Sequence, residues 1–363
     1  MASLSTSASH SNTPETLRAN IEQWSRELGF QQCGISDLDL EKEGAQLRTW
    51  LNKKFNGSMA WMSDHGEMRW HPEKLLPGTI SVISVRLDYL PPNTRIIAQL
   101  KDGDKAYLSR YALGRDYHKL IRKRLSLLAG KIAQNVQCSV IQRPFVDSAP
   151  VMEKPLAAKA GLGWVGKNTL LLNRDAGSWF FLGELFTSVA LPAHQDPVKN
   201  ECGNCRACLK ICPTQAFPEP YVLDASRCIS YLTIEHKDSI PLEFRKAIGN
   251  RVFGCDDCQI VCPWNRFAQA SKEADFKPRH GLADSELATL FEWSEDQFLE
   301  RTAGSPIRRI GYQRWLRNLA IGLGNAPTSR TVLNALHSRE NHSSALVSEH
   351  VAWALNEHKT ASR

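Results

Sequence analysis

The sequence lacks any run of about 18 uninterrupted apolar residues, the length that a membrane-spanning helix requires. Its N-terminal segment, residues 1–14, is rich in serine and has no apolar core, which excludes a secretory signal and predicts a flexible tail. Hydrophobic residues make up 42% and charged residues 23% of the 363 positions, as in ordinary globular proteins. We therefore expect a cytoplasmic, monomeric protein of two or three packed units, with no membrane partner.

Two cofactor signatures are also missing. The dinucleotide fingerprint G-x-G-x-x-G does not follow any predicted strand. Gly161, Gly163 and Gly166 come close to it, but residues 153–160 before them have a helical pattern. The common cobalamin signature D-x-H-x-x-G is absent as well, because residues 64–66 (DHG) lack its spacing. The sequence alone thus gives no nucleotide site.

The hydrophobic pattern predicts a layered domain at residues 15–195. Helices are expected at 14–29 and 116–134, and strands at 30–35, 79–89, 138–147 and 179–191. This alternation indicates an α/β or α+β fold. The polar segment 192–200 interrupts the pattern and suggests a domain boundary.

Two further regions are expected after this boundary. Residues 196–270 hold most of the cysteines and little continuous secondary structure, whereas residues 271–363 have a helical pattern. Two helices ending near residues 325 and 338 resemble one unit of a HEAT-like repeat, and the alternative is an ordinary helical cap.

What the chain does have is ten cysteines, eight of them within residues 201–265. The first four follow the spacing C-x2-C-x2-C-x3-C and are followed by proline, as in bacterial two-cluster ferredoxins. The second half has only C-x2-C-x3-C before its proline, and one isolated cysteine between the halves replaces the missing member. The eight are Cys202, Cys205, Cys208, Cys212, Cys228, Cys255, Cys258 and Cys262.

In such ferredoxins the fourth cysteine of each run ligates the other cluster. Applied here, this rule gives two [4Fe–4S] clusters with ligand sets of Cys202, Cys205, Cys208 and Cys262, and of Cys212, Cys228, Cys255 and Cys258. The alternative is a pair of zinc sites, because C-x2-C pairs also bind zinc. Cys33 and Cys138 lie outside the block and are expected to be plain buried residues.

Basic residues are concentrated in two blocks, although the net charge is only +7. Residues 105–131 contain eight Lys or Arg against Asp116 alone. Residues 301–330 contain six Arg and no acidic residue, interleaved with Tyr312 and Trp315. Such blocks are often only solvated faces, but they also suit an RNA backbone, with aromatic side chains for unstacked bases.

Several segments together resemble the epoxyqueuosine reductase family. They are PFVDSAPVMEKPLAAKAGLGWVGKNTLL (144–171), RYALGRDYHK (110–119), LLPGTISVISVRLDYLP (75–91), CGNCRACLKICPTQAF and CISYLTIEHK, and the resemblance extends over about residues 15–325. It implies a base-off cobalamin domain joined to the two-cluster domain, as in reductive dehalogenases. It also implies reduction of the epoxide on the wobble base of tRNA, the last step of queuosine biosynthesis, with electrons from an external donor.

The resemblance also implies roles for single residues. Asp147, in the motif FVDSAP, is where the family places its proton donor, next to the corrin. An apolar setting such as Phe145–Val146 is expected to raise the pKa of this carboxyl and keep it protonated. Further cobalamin contacts are expected at Arg69, Arg110, Asn168 and Ser230.

Two other interpretations stay open at this point. The chain could be a ferredoxin-like electron carrier whose first domain only docks a partner. It could also be a corrinoid enzyme related to reductive dehalogenases that acts on a small molecule.

Overall fold

The structure, a computed structural model, describes residues 13–92, 95–136 and 138–361. The predicted tail, residues 1–14, lies almost wholly outside these residues, and helix α1 already begins at Pro14. The first region contains α1 (Pro14–Glu27), β1 (Gln32–Ser36), α2 (Glu41–Asn52), α3 (Trp61–Asp64), α4 (Pro72–Leu75), β2 (Ser81–Asp88), α5 (Ile96–Lys101), β3 (Tyr107–Leu108), α6 (Tyr117–Asn135), β4 (Gln142–Phe145), α7 (Glu153–Lys159), β5 (Trp164–Val165), β6 (Leu171–Leu172) and β7 (Phe180–Thr187).

A four-stranded sheet with the order β1-β2-β7-β4 is the centre of this region. All three pairings are antiparallel, with Ile35 opposite Ile83 and Phe145 opposite Glu184. The expected strands are therefore present, although each is shorter than predicted. Of the two predicted fold classes, α+β describes this sheet, because the strands do not pair in parallel as in an α/β fold.

Helices cover both faces of the sheet. On one face, α1 and α6 pack through residues such as Ile21 and Leu125 against Ile83 and Leu185. On the other face, Trp70 and Leu156 pack against strand residues, among them Val82 and Phe186. Strand β2 is buried at all eight positions, because helices cover both faces of the sheet.

The cysteine-rich region forms short elements joined by loops: α8 (Ala207–Ile211), α9 (Ile229–Ile234), α10 (Leu242–Ile248), β8 (Arg251–Phe253) and α11 (Asp257–Ile260). Strand β8 pairs in parallel with β3 and so joins this region to the first one. Among the described residues, no helix is long and apolar enough to cross a membrane.

The last region is helical, with α12 (Leu287–Phe291), α13 (Glu295–Arg301), α14 (Gly311–Asn325), α15 (Arg330–His337) and α16 (Ala345–Ala361). The largest core cluster combines residues of α14 and α16 with Leu108 and Leu113 of the first region and Val252 of the second. The three predicted regions thus share one apolar core.

Several residues of the block 301–330 have structural roles. The prediction that this block forms an RNA-binding surface is wrong for these residues. Arg317 is fully buried, and its guanidinium donates to the backbone oxygens of Leu232, His236 and Asp238 at 2.7–2.9 Å. Trp315 is also fully buried, and the Tyr312 hydroxyl donates to the Trp293 backbone oxygen. These aromatic rings pack in the core and are not stacking platforms for bases.

We predict that Arg317→Gln destabilises the protein. The shorter side chain leaves buried carbonyl groups near the end of α9 without a donor, at a cost of about 1–3 kcal/mol for each unsatisfied group. Thermal unfolding should therefore show a clearly lower Tm. Arg330→Gln is the matched control, because Arg330 is exposed on α15. Equal Tm values for both variants would contradict the structural role of Arg317.

Candidate active site and cysteine loops

Asp147 lies in the loop between β4 and α7, where the backbone takes an unusual conformation. Its φ of +53° is in the left-handed region, which costs a non-glycine residue about 1–2 kcal/mol. The backbone N–H of Asp147 donates to Glu153 Oε1 at 2.5 Å. This bond comes from the first residue of α7 and holds the loop in its strained position.

The first two residues of α6 hold the Asp147 carboxylate. The Tyr117 hydroxyl donates to Asp147 Oδ2 at 2.9 Å, and His118 Nε2 lies 3.3 Å from the same oxygen. The other ring nitrogen of His118, Nδ1, lies 2.6 Å from Asp116 Oδ1. Because only a protonated imidazole can donate from both nitrogens, the two carboxylates favour a positively charged His118.

An aromatic stack holds the side chains of Tyr117 and His118 in place. The Tyr117 ring stacks on Phe181 of β7, with centroids 3.7 Å apart, and on His118, with centroids 4.4 Å apart. The stack fixes the orientation of both donors. The Asp147 side chain remains 49% exposed, so its carboxylate is accessible from one side.

The prediction that Asp147 is protonated at neutral pH is wrong. Burial would raise the pKa of this carboxyl, as the apolar neighbours suggested, but hydrogen bonds from His118 and Tyr117 outweigh burial and leave the pKa below its usual value. Burial would likewise lower the pKa of His118, but its bonds to Asp116 and Asp147 raise it to about 9. At neutral pH the proton therefore resides on His118 and not on Asp147.

Two further carboxyl groups lie beneath the loop. Glu184, in the middle of β7, is fully buried, and it interacts with Glu153, whose carboxylate accepts the Asp147 N–H. Burial, together with the negative charge of its neighbours, raises the pKa of Glu184 well above the usual value for a carboxyl. Burial and then the Asp147 charge raise the pKa of Glu153 to about 7. At neutral pH Glu184 therefore holds a proton close to Glu153.

The first predicted cysteine set surrounds one cavity. Cys202, Cys205, Cys208 and Cys262 all line a space of about 210 Å³, together with Trp264 and residues on either side of it. Burial and then the thiols of Cys262, Cys202 and Cys205 raise the pKa of Cys208 to about 11. The chain thus brings the distant Cys262 to the first three cysteines, as the crossed ferredoxin pattern requires.

The second predicted cysteine set lies deeper in the protein than the first. Cys258 interacts with Cys228 and Cys212 of its own set and with Cys208 of the first set, and Cys255 packs with Cys228 against one apolar cluster. Within the described ranges, no three His, Cys, Asp or Glu side chains converge closely enough to bind a single metal ion. That finding does not weigh against cubane clusters, because each thiolate of a cubane binds a different iron atom and the four thiolates stand far apart.

Aromatic rings connect Asp147 to the second cysteine set. Tyr117, the partner of Asp147, stacks on Phe181, whose ring centroid lies 6.4 Å from that of Tyr111. Tyr111 in turn lies 6.1 Å from Phe253, two residues before Cys255. The carboxylate and the second cysteine set therefore lie at the two ends of one packed aromatic series.

The four candidate cobalamin contacts lie in different places. Arg69 is buried and donates to the Trp61 backbone oxygen at 2.6 Å, and its Nε has no hydrogen-bond partner among the described residues. Arg110 is 2% exposed, and its guanidinium lies over the Tyr107 ring and bonds to Gln99.

The other two candidates lie beside cysteine loops. Asn168 donates to the Cys258 backbone oxygen at 3.4 Å and also lines the cavity of the first set. Ser230 follows Cys228 by two residues and is half-buried in α9. Of the two remaining cysteines, Cys33 is half-buried, whereas Cys138 is exposed, so the expectation of a buried residue is wrong for Cys138.

Sequence reasoning missed His118, Glu153 and Glu184 as members of this site. The sequence did contain a signal for His118. Asp116 is a typical capping residue at the start of α6 and accepts the His118 N–H, so Tyr117 and His118 could be expected together in the first turn of that helix. Glu184 is an acidic residue inside an otherwise apolar strand, a pattern that marks a buried functional carboxyl. Glu153 carried no comparable signal.

Comparison with known families supports the division of the chain. A family described as "Epoxyqueuosine reductase QueG, DUF1730" matches residues 69–148, which include Asp116, His118 and Asp147. A family described as "4Fe-4S double cluster binding domain" matches residues 201–265. The second match confirms the iron–sulfur interpretation of the cysteines over the zinc alternative.

Similar proteins cover nearly the whole chain. The epoxyqueuosine reductase of Pseudomonas aeruginosa is 60% identical over 345 residues, 95% of each chain. That of Escherichia coli is 56% identical and is matched over 93% of this chain and 89% of its own length.

Solved structures give the same result. A crystal structure of epoxyqueuosine reductase with an epoxyqueuosine-modified tRNA-Tyr stem loop superposes with a TM-score of 0.86 at 25% identity, over 95% of this chain and 91% of that one. The Bacillus subtilis enzyme, with its catalytic loop swung out of the active site, gives 0.84 at the same identity and coverage. This chain belongs to the epoxyqueuosine reductase family.

Proposed function

We propose that the protein reduces the epoxide of epoxyqueuosine in tRNA to the alkene of queuosine, with Asp147 and His118 handling the protons. The reaction consumes two electrons and two protons and releases the epoxide oxygen as water. The observation that carries the proposal is the half-exposed Asp147 carboxylate bonded to a charged His118, at one end of the aromatic series that leads to Cys255.

The proton route follows from the two pKa shifts. When the epoxide opens, its oxygen becomes an alkoxide, which is far more basic than an imidazole. Because Asp147 is ionised at neutral pH, His118 Nε2 first gives its proton to the Asp147 carboxylate, and Asp147, which faces the open side, passes it to this oxygen. The second proton comes from solvent on the exposed side of Asp147, and the oxygen leaves as water. Asp116, on the opposite nitrogen, keeps His118 charged until the transfer.

Cobalamin is the proposed reductive cofactor, and it supplies reduction by low-valent cobalt when bound. The surroundings of Arg69 fit such an amphipathic, amide-rich ligand: buried Arg69 has an Nε donor without a hydrogen-bond partner among the described residues, and it lies beside exposed Trp61 and Met68. Arg69 would donate to an amide oxygen, and the apolar side chains would cover corrin methyl groups. Asn168 and Ser230 would bind on the side of the second cysteine set.

The two [4Fe–4S] clusters are proposed to take the crossed ligand sets given above. Cys202, Cys205, Cys208 and Cys262 would hold the outer cluster, and Cys212, Cys228, Cys255 and Cys258 the inner one. The shared cavity of the first four thiols supports this division, as does the packing of Cys228 and Cys255 against one apolar cluster.

The tRNA is proposed to lie along the outer face of α6. Lys119, Arg122 and Lys123 share that face by their helical spacing, are exposed, and form no ion pair with any described carboxylate. Other cations of the block 105–131 are neutralised, for example Arg124 by Glu273 and Lys131 by Glu27. Because α6 begins at Tyr117, its free charges lie near Asp147, where the modified base must enter.

The decisive experiment is an anaerobic single-turnover assay. Full-length protein with both clusters loaded is incubated with cobalamin, a strong chemical reductant and epoxyqueuosine-containing tRNA, and the nucleosides are analysed by mass spectrometry. Loss of one oxygen mass, dependent on cobalamin, is expected. An intact epoxide with fully reduced clusters and bound tRNA would refute the proposed activity.

We predict that Cys228→Ala removes one cluster. Cys228 is proposed to ligate only the inner cluster, so iron should fall from about eight to about four atoms per chain by the two-cubane count. Cys33→Ala is the matched control, because Cys33 belongs to neither set and should leave the iron content unchanged. Full iron retention in Cys228→Ala would exclude Cys228 as a ligand.

We predict that Asp147→Asn lowers the single-turnover rate by about 100-fold or more, since an amide cannot pass on a proton. In the wild-type protein the rate should fall as pH rises through about 9, because His118 is protonated below that pKa and neutral above it. Without the Asp147 charge the pKa of His118 drops, so the same fall should occur at lower pH. Near wild-type conversion by Asp147→Asn would return Asp147 to a structural role.

We predict that the combined variant Lys119→Gln, Arg122→Gln and Lys123→Gln binds tRNA more weakly and with a flatter salt dependence. Each lost phosphate contact reduces the slope of log K against log salt by about 0.7–0.9. Removing three charges at Arg206, Lys210 and Arg266 instead is the matched control and should leave tRNA binding unchanged. An unaltered slope in the α6 variant would make its basic face only a solvated surface.

A further inference from the structure

The two cysteine sets differ in their access to solvent. Cys205, in the outer set, is exposed, whereas every member of the inner set is at least partly buried. The inner set also adjoins the aromatic series that ends at Asp147. Electrons supplied from outside must therefore enter through the outer cluster, at the surface around Cys205.

This surface carries cations that lack internal partners. Three of them are exposed: Arg206 immediately before α8, Lys210 near the end of α8, and Arg266, which lines the cavity of the first cysteine set. No described carboxylate forms an ion pair with any of the three. One acidic residue, Glu201, also lines the cavity but is only half-exposed. The local charge is thus clearly positive and available to a partner.

Apolar side chains lie among these cations. Ile211 at the end of α8 is 42% exposed and Phe267 is 36% exposed, with the Arg266 guanidinium over the Phe267 ring at 4.6 Å. The backbone here is also held rigid, since Lys167 Nζ donates to the carbonyl oxygens of Gly203 and Cys205. We call this surface, formed by Arg206, Lys210, Ile211, Arg266 and Phe267 around Cys205, the Cys205 face.

We propose that the Cys205 face is the docking surface for an acidic one-electron carrier protein. Small apolar contacts within a ring of unpaired charges are typical of weak, fast electron-transfer encounters, in which opposite charges steer the partner. Each encounter oxidises the carrier by one electron and reduces the outer cluster by one. Two encounters supply the two electrons of one epoxide reduction, so this inference rests on the proposed function.

RNA is the competing occupant of a basic surface. The modified base must reach Asp147, and the cysteine loops and the aromatic series separate Asp147 from Cys205. The α6 face offers unpaired cations beside Asp147 itself. The Cys205 face is therefore assigned to the electron carrier and the α6 face to tRNA.

The test measures cluster reduction and needs no tRNA substrate, so its outcome is independent of the proposed epoxide chemistry. Full-length protein with both clusters loaded is mixed in a stopped-flow instrument with photoreduced flavodoxin, an acidic flavin carrier, and the loss of cluster absorbance is followed. The variant combines Arg206→Gln, Lys210→Gln and Arg266→Gln. The matched control is the α6 variant at Lys119, Arg122 and Lys123.

The bimolecular rate of the Cys205-face variant should fall by about tenfold or more at low ionic strength, since electrostatic steering raises association rates by 10–1,000-fold. The wild-type rate should decline with added salt toward that of the variant. Reduction by dithionite, a small reductant that needs no docking, should be unchanged, as should the α6 control. The single variants Lys210→Gln and Arg266→Gln should each show a smaller fall in the bimolecular rate. They test the proposal even if the triple variant loses iron.

Three results would overturn the proposal. An unchanged rate with flavodoxin would show that the charges do not steer a carrier. Equal slowing with dithionite would mean that the substitutions act on the clusters and not on docking. Weakened tRNA binding with normal carrier kinetics would assign the face to RNA.

Discussion

One buried carboxylate, Asp256, ties the cysteine loops to the catalytic region. It is 1% exposed, lies between Cys255 and Cys258, and accepts hydrogen bonds from the Tyr107 hydroxyl, the Ser109 hydroxyl and the Arg110 backbone N–H. All three donors come from β3 and the turn after it, which leads through Tyr111 into α6. The distance between the inner cysteine set and the Asp147–His118 pair is therefore fixed by a fully satisfied polar contact, which a buried carboxylate requires.

In the proposed reaction, protons and electrons would reach the site from different directions. The proton is held by His118 between two carboxylates near the surface, whereas the aromatic series approaches through the interior. Burial and charge pairing act against each other at His118 and Asp147, and pairing prevails at both. At Glu184 burial prevails, and the negative charges of Glu153 and Asp147 act in the same direction, so Glu184 and Asp147 differ in protonation state although they belong to one site.

The sequence predicted best what depends on spacing along the chain. The cysteine runs predicted that Cys262 lies with the first three cysteines at one cavity, and the apolar pattern located α1, β2 and α6 to within a few residues. It failed where the result depends on partners distant in sequence. The neighbours Phe145 and Val146 suggested a protonated Asp147, but His118, 29 positions earlier, reverses that state. The arginines of 301–330 suggested a surface, but the backbone oxygens of Leu232 and His236 draw Arg317 inward. Contacts between residues that are distant in sequence produce no periodic pattern from which they could be predicted.

The shared core also determines when the protein can fold during its synthesis. Leu108 and Leu113 are buried against Leu319, Leu336 and Leu355, near the other end of the chain. A ribosome that adds about 5–20 residues per second needs on the order of 10–50 s to cover these roughly 250 positions. For that time the two leucines lack their partners in the last helices, whereas β3 obtains its partner strand β8 earlier, about 145 residues after it. A carboxy-terminal truncation that removes α16 would therefore disturb the cysteine loops as well, through β8.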